Sequence, residues 1–290
     1  MIKDYHLDSK DHAEVLRIHS LYVDRNEEND YEMLKSNLSE FKRLAKTYPF
    51  TSLFHRLEMY YFDIGVIERY KNGDLAKANY CLSMSARCSF LKNIIGGKDY
   101  SGGYDCLHVY TMLLAASCGD FKCVERCLDV FPGPAKSGHK SSVILCNGLF
   151  DVLKRKSSTG LRSIVEKRKD TNYYMAMFNA LIGIMEVSRP LFLDSINALL
   201  KLQRRQSHIM HLEKVFCSNA HALCRIWSHL HQTKLEELVD NPLWDEGLYN
   251  QQPIEIDQIK VKLEKDFPVF CDWITTLPQA VNKEELLDSL

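Results

Sequence analysis

Apolar side chains recur every three or four residues along most of this chain, and this period constrains the fold more than any other feature. The first run predicts one stripe of an amphipathic helix, formed by Tyr31, Leu34, Leu38, Phe41, Ala45 and Tyr48. Residues 254–263 fit either a strand or a helix, and we favour a helix because no other run alternates convincingly with a period of two. Helices with apolar stripes must bury them against each other, so the sequence predicts an all-α fold.

Two short junctions predict how some of the helices pair. Gly73-Asp74 and Gly119-Asp120 each separate two helical stripes. Glycine suits the end of a helix, and aspartate can cap the start of the next one. We therefore expect an array of antiparallel helical hairpins, TPR-like or α-solenoid-like and compact. The alternative is coincidence, because Gly-Asp is a common helix junction. The glycines at 96–97 and 102–103 predict a loop between the two hairpins.

The second half of the chain continues the helical pattern after a polar, basic linker candidate at 154–160. We expect N-terminal hairpins over residues 1–153 and a C-terminal helical region over residues 154–290, packed as one globular unit. The run from Tyr173 to Val187 is apolar on nearly all faces and predicts a buried central helix. That run is shorter than the roughly 20 apolar residues of a bilayer span. Pro190 suits the first turn of the following helix.

The charge balance and the cysteine pattern narrow the function classes. Lys+Arg is 37 and Asp+Glu is 38, which gives a net charge of −1. Proteins that bind nucleic acid usually carry a basic excess, so no nucleic-acid partner is expected, and the local basic stretch at 154–169 is interpreted as a solvated surface. The ten cysteines are spread through apolar stretches, and the N-terminus lacks the apolar core of a signal peptide. These features predict a cytoplasmic protein with reduced thiols and no membrane association.

The densest histidine and cysteine region invites a test for metal binding. Cys217, His221 and Cys224 lie four and three residues apart, so one helix face could present all three to zinc. The two cysteines also fit a core stripe with Ala220 and Trp227, and buried packing is the interpretation we favour. There is no Cys-x-x-Cys and no His-Glu-x-x-His. We assign no catalytic residue, no cofactor and no metal ligand, and we expect no enzyme activity.

An acidic and aromatic segment near the C-terminus predicts a binding site. It contains Asp240, Trp244, Asp245 and Glu246. Exposed aromatic side chains beside carboxylates are typical of interface hot spots that meet a basic partner. The alternative is a C-terminal cap of the fold that buries Trp244, because large aromatic side chains are mostly buried.

The order of motifs in the C-terminal half resembles a known family. The motifs are a small, apolar helix at Met175–Leu181, a helical run at Pro190–Lys201, the basic pair Arg204-Arg205, a helix around Ala220–Cys224 and the segment Leu243–Leu248. This order resembles the immunity protein 49 family, whose members are antidotes in bacterial polymorphic toxin systems. The Gly73-Asp74 and Gly119-Asp120 hairpins are compatible with the helical N-terminal half of that family.

The resemblance implies a cytoplasmic immunity protein that is not an enzyme. Such a protein binds a cognate toxin or effector domain by shape and charge and blocks it by direct contact. A general helical-repeat scaffold or regulator that docks peptide or protein partners is the alternative from another class. An enzyme is the third candidate and would require a polar pocket with a perturbed cysteine or histidine. The oligomeric state is left open by the sequence.

Overall fold

The computed structural model describes residues 13, 15–17, 27–44, 50–100, 105–131, 133–167, 169–206, 215–235, 241–252, 264–282, 284–285 and 288. All regular secondary structure in these ranges is helical, and the predicted all-α class is confirmed. The helix predicted at 254–263 lies outside the described residues, as do Ala45 and Tyr48 of the first stripe. None of the described helices has the length and apolar character needed to cross a bilayer.

Within the described ranges, residues 13 and 15–17 are helical, and six helices of ten residues or more precede the linker candidate. They are α1 (Glu27–Leu44), α2 (Phe50–Ile67), α3 (Leu75–Tyr100), α4 (His108–Ser117), α5 (Phe121–Val130) and α6 (Lys140–Leu153). A π-helical turn, Glu68–Asn72, extends the end of α2. The helices α2 and α3 pack along each other, and α3 also contacts α4 and α5.

Six further helices follow the linker candidate in the described ranges. They are α7 (Thr159–Glu166), α8 (Asn172–Met185), α9 (Arg189–Leu202), α10 (Ser218–His231), α11 (Glu246–Asn250) and α12 (Pro268–Thr276). Pro190 lies in the first turn of α9, as predicted, where its missing N–H leaves no hydrogen bond unmade. Nine of the fourteen residues of α8 are buried, which confirms the predicted central helix.

Both Gly-Asp junctions form the predicted turn and cap. Gly73 and Gly119 adopt left-handed φ values of 73° and 78°, which glycine reaches without steric strain. The Asp74 carboxylate accepts a hydrogen bond from the Lys77 N–H at 2.9 Å. The Asp120 carboxylate accepts one from the Cys123 N–H at 3.1 Å. Each aspartate therefore satisfies a backbone donor that the start of a helix leaves unpaired.

The loop expected at Gly96-Gly97 is wrong, because α3 continues through both glycines to Tyr100. Phe90, Leu91 and Ile95 of this helix are buried in the core. A glycine inside a helix costs about 1 kcal/mol relative to alanine, and burial of one large apolar side chain recovers more than that. Tertiary packing thus overrides the local preference. The loop expected at 102–103 lies outside the described residues.

Buried side chains form one large cluster that spans the chain from Leu34 to Leu277. It includes residues on both sides of position 153, and α6 packs on α8 while α4 packs on α10. A smaller cluster around Phe62, Phe216 and Leu248 joins α2 to the C-terminal half. Helices from the two halves of the sequence therefore share a core.

Candidate functional site

The segment predicted to bind a partner lies mostly inside the protein. Trp244 is 6% exposed and Asp245 is 0% exposed, whereas Glu246 is exposed. Asp240 lies outside the described residues. The structure thus shows the buried alternative for Trp244, and Glu246 is the one member of the described part of this segment whose side chain faces solvent.

Asp245 is held by charge and by the backbone. Its carboxylate accepts hydrogen bonds from Arg69 Nε at 2.6 Å and Arg69 Nη2 at 3.1 Å. The same carboxylate accepts the Leu248 N–H at 3.0 Å and so caps α11. A bidentate pair of this kind is among the strongest hydrogen-bonded contacts in proteins. It links the turn after α2 to a residue 176 positions away.

Two more side chains fix the same segment. The ring of His221 stacks on Trp244 with ring centroids 4.3 Å apart. His221 Nδ1 lies 2.8 Å from the Cys217 carbonyl, and Nε2 accepts the Asp245 N–H at 3.0 Å. Arg225 donates to the carbonyls of Leu248 and Gln251. We call Arg69, His221, Arg225 and Asp245 the Asp245 clamp.

The contacts of the clamp also show how the histidine and cysteine side chains around His221 are used. Both ring nitrogens of His221 already have backbone partners, so neither is free to bind zinc in this arrangement. Burial lowers the pKa of His221, which keeps the ring neutral at pH 7. The Cys217 thiol donates to Gln203 Oε1 at 3.3 Å. Among the described residues, no cluster of three metal-binding side chains is found.

A second buried ion pair joins α3 to the start of α5. Arg87 Nε and Nη2 donate to the Asp120 carboxylate at 2.6 and 3.1 Å, and Ser83 Oγ donates to it at 2.6 Å. Arg87 Nη1 also donates to the carbonyl of Ile274 at 2.8 Å. The sequence predicted the capping role of Asp120, and it missed the ion pair because Arg87 lies 33 residues away on another helix.

One buried cysteine contacts a histidine. Cys146 Sγ lies 3.3 Å from His108 Nε2. Burial lowers the pKa of His108 to about 4 and raises the pKa of Cys146. At pH 7 this pair is therefore a neutral thiol beside a neutral imidazole. A nucleophilic cysteine needs the thiolate form, so this geometry favours a packing role for both side chains.

Three hydroxyl groups meet where α4, α6 and α8 begin. Tyr110 Oη lies 2.7 Å from Ser142 Oγ and 3.1 Å from Tyr174 Oη. Each residue is the third of its helix, and the three positions are 32 residues apart. Tyr110 is 40% exposed, and Tyr174 is partly exposed. The three helix starts therefore lie side by side at one edge of the molecule.

Further hydrogen bonds tie these helix starts together. The Asp105 carboxylate accepts the N–H groups of Lys136 and Ser137 at 2.8–3.0 Å. Ser141 Oγ donates to the Asp170 carboxylate at 2.7 Å. The segment before α4 is thus hydrogen-bonded to the segment before α6, and the start of α6 is hydrogen-bonded to the segment before α8. The carboxylates of Asp105 and Asp170 accept these hydrogen bonds.

Basic and aromatic residues are next in sequence to the residues that make these contacts. Lys140 and Lys169 are exposed beside Ser141 and Asp170, and the exposed His139 ring lies 6.2 Å from that of Tyr174. We define the helix-start face by six residues that share this edge: Tyr110, His139, Lys140, Ser142, Lys169 and Tyr174. The sequence reasoning missed this face. The available signal was the equal spacing of the two tyrosines from Ser142.

No family model, curated protein or solved structure matches the chain. The resemblance to the immunity protein 49 family stays a prediction.

Proposed function

We propose that this protein is not an enzyme and works by binding, as an immunity protein that neutralises a cognate toxin or effector domain by direct protein–protein contact. The observation that carries the proposal is the helix-start face. It places Tyr110 and Tyr174 at the surface, on helix starts that are joined by hydrogen bonds. Tyrosine side chains on a rigid support are typical centres of protein interfaces, because they bury a large area and lose little conformational freedom.

The internal contacts support a preorganised surface. Two buried guanidinium–carboxylate pairs, at Asp120 and Asp245, fix helices that are distant in the sequence. A binding surface held in one conformation loses less entropy when the complex forms. An antidote that must capture its toxin before damage occurs benefits from both rapid encounter and slow dissociation.

The protonation states of the buried groups favour binding over catalysis. All ten cysteines are buried. Burial raises the pKa of Cys118 to about 12 and also raises the pKa of Cys88 and Cys224, so these thiols are protonated at pH 7. Catalytic thiols are accessible and have a lowered pKa. The described cysteines are therefore suited to core packing.

Within the all-α class, we propose that the helices form a TPR-like or α-solenoid-like array of antiparallel hairpins. The 32-residue spacing of Tyr110, Ser142 and Tyr174 supports it, and so do the contacts of α6 with both α4 and α8. In this arrangement α4, α6 and α8 are equivalent first helices of successive hairpins. Stacked repeats of this kind create the extended surfaces that such proteins use for binding.

Because Trp244 and Asp245 are buried, the acidic segment becomes the secondary candidate for the interface. Trp244 and Asp245 act by positioning residues 243–252, and Glu246 is the exposed side chain there that a basic partner could contact. The helix-start face becomes the principal candidate for the interface. The proposed site of action is the cytoplasm, without a nucleic-acid or membrane partner.

A general helical-repeat scaffold or regulator is the second candidate, and the 32-residue spacing favours it equally. The two differ in partner number and affinity. An immunity protein binds one cognate domain tightly, whereas a scaffold binds several peptides or proteins with modest affinity.

The test is survival of bacteria that express the C-terminal domain of a toxin encoded beside this gene. We expect growth when this protein is co-expressed and arrest when it is absent. The variant Tyr110→Ala/Tyr174→Ala should lose protection. The matched control Val187→Ala, at an exposed apolar side chain at the other end of α8, should retain protection.

Two results would contradict the proposal. One is toxin arrest that wild-type protein does not relieve although both proteins are expressed. The other is a purified protein that alone converts a small molecule or modifies the toxin. A second variant, Tyr110→Phe/Tyr174→Phe, retains the rings and shows whether the hydroxyl groups themselves are required.

A further inference from the structure

We infer that the helix-start face binds an acidic protein segment in which carboxylates alternate with apolar or aromatic side chains. This inference rests on the proposed function and specifies the chemistry of its partner. It is carried by the charge of the segments that lead into α6 and α8, by the exposed rings beside them, and by the contacts that engage Asp105 and Asp170.

The local charge differs from that of the whole chain. Residues 136–140 and 166–172 contain five Lys or Arg and two Asp or Glu, although the net charge of the chain is −1. Lys136, Lys140, Lys167 and Lys169 are exposed. A positive patch on a nearly neutral protein attracts a negative partner and raises its association rate.

Two of the carboxylates near this patch, those of Asp105 and Asp170, have internal partners, whereas Glu166 is exposed. Asp170 accepts hydrogen bonds from Ser141 Oγ at 2.7 Å and from the Thr171 N–H at 2.8 Å. Asp105 accepts two backbone N–H groups in the segment before α6. These contacts hold both acids against the protein, while Lys140 and Lys169 are exposed beside them.

The rings favour a protein over a nucleic acid as the partner. Tyr110 is 40% exposed, and its hydroxyl group is held by Ser142 and Tyr174, which fixes the ring at the surface. A fixed tyrosine ring offers apolar area to leucine or aromatic side chains, while the lysines meet carboxylates. Nucleic-acid binding draws mainly on many phosphate contacts from a broad basic surface, and this patch is small.

The experiment measures fluorescence anisotropy of three labelled probes with the full-length protein. The first probe is a 12-residue peptide of alternating glutamate and leucine or tyrosine. The second is the same peptide with glutamine in place of glutamate. The third is a 12-nucleotide oligothymidine. Titrations at 50 and 300 mM NaCl separate the contribution of charge to the affinity from that of apolar contact, because salt screens exposed charges.

We expect wild-type protein to bind the acidic peptide at least tenfold more tightly than the glutamine peptide or the oligonucleotide. The variant Lys140→Glu/Lys169→Glu should weaken binding of the acidic peptide at least tenfold. The control Lys42→Glu/Lys234→Glu makes the same change in net charge at exposed lysines outside the face and should leave the affinity within twofold of wild type.

Several outcomes would overturn the inference: no preference for the acidic peptide, tighter binding of the oligonucleotide, or equal losses in the two double variants. Toxin protection distinguishes this failure from failure of the proposed function. If Lys140→Glu/Lys169→Glu still protects cells as wild type does, the immunity function stands and the acidic partner is wrong. If wild-type protein protects no cells, the proposed function fails whatever the peptides show.

Discussion

The surroundings of the Asp245 clamp and of the helix-start face contain the same kinds of residue, and the structure uses them in opposite ways. Aromatic rings, basic side chains and aspartates meet in both regions, with Trp244 beside the clamp and Asp105 and Asp170 beside the face. In the clamp, Arg69 pairs with Asp245, and Trp244 packs on His221, so the charges and rings are inside. At the helix-start face the aspartates accept backbone or serine donors, and the lysines and Tyr110 stay at the surface.

The difference shows what decides the fate of such a cluster. A carboxylate that meets a guanidinium across the core can be buried with its neighbours, because each charge compensates the other. Near the helix-start face, Asp105 and Asp170 accept hydrogen bonds from backbone N–H groups and from Ser141, and Lys140 and Lys169 are exposed. Residues that stabilise the clamp and residues that bind a partner should therefore respond differently to substitution.

The largest effect is expected at the centre of the clamp. Asp245→Ala removes the carboxylate that pairs with Arg69 and the cap of the Leu248 N–H. Loss of one partner of a buried ion pair typically costs about 3–5 kcal/mol, and we expect the free energy of unfolding to fall by about that amount in urea titrations.

The adjacent exposed residue supplies the control for this prediction. Glu246→Ala should change the free energy of unfolding by less than about 1 kcal/mol, because Glu246 is solvated at the start of α11. If both variants lose a similar amount of unfolding free energy, Asp245 is not held by the contacts described. The proposed difference between the clamp and the helix-start face would then be wrong.

A smaller effect should appear as a dependence of stability on pH. Both regions have a neutral buried imidazole, His221 in the clamp and His108 at the first position of α4. Burial lowers the pKa of each ring, to about 4 for His108. Below about pH 6.5 the unfolded chain binds more protons at these histidines than the folded chain does, so stability falls as the pH decreases.

Urea unfolding at pH 7 and pH 5 measures this effect. Each pH unit over which a histidine is protonated only in the unfolded chain lowers the free energy of unfolding by about 1.4 kcal/mol. From pH 6.5 to pH 5, one histidine can therefore lower it by up to about 2 kcal/mol. The variant His221→Gln should reduce the difference between the two pH values. An unchanged difference in this variant and in His108→Gln would contradict the neutral, buried state of both rings.

The smallest effect is expected from the hydroxyl cluster of the helix-start face. Ser142→Ala removes a hydrogen bond to Tyr110 Oη, and a bond of this kind contributes about 1 kcal/mol. Thermal and urea unfolding should show a loss near that value. Ser163→Ala, in α7, should change stability by less than about 0.5 kcal/mol. If Ser142→Ala lowers the stability as much as Asp245→Ala does, the hydroxyl cluster is part of the core and not of a binding surface.

The helical class and its local signals could be predicted from the sequence. Apolar periodicity gave the helices, and the chemistry of Gly-Asp gave the turns and caps at Asp74 and Asp120, because these features depend on residues within one turn of each other. The continuation of α3 through Gly96-Gly97 could not be predicted in this way, since it depends on packing of Phe90, Leu91 and Ile95 against other helices.

The candidate site was harder to predict for the same reason. Whether Trp244 and Asp245 face solvent depends on Arg69 and His221, which are far away in the sequence. The helix-start face depends on three residues spaced 32 apart, of which only two are of the same type. Pairings of this kind arise from tertiary contacts, and the local pattern around each residue does not contain them.

Isothermal titration calorimetry with the purified toxin or effector domain tests the central claim most directly. The account predicts one tight complex of equal stoichiometry for wild-type protein and for Val187→Ala, and at least a hundredfold weaker binding for Tyr110→Ala/Tyr174→Ala, measured at a temperature at which unfolding curves show this variant to be folded. Equal affinity for the tyrosine variant and wild type would contradict the claim that this protein acts through its helix-start face.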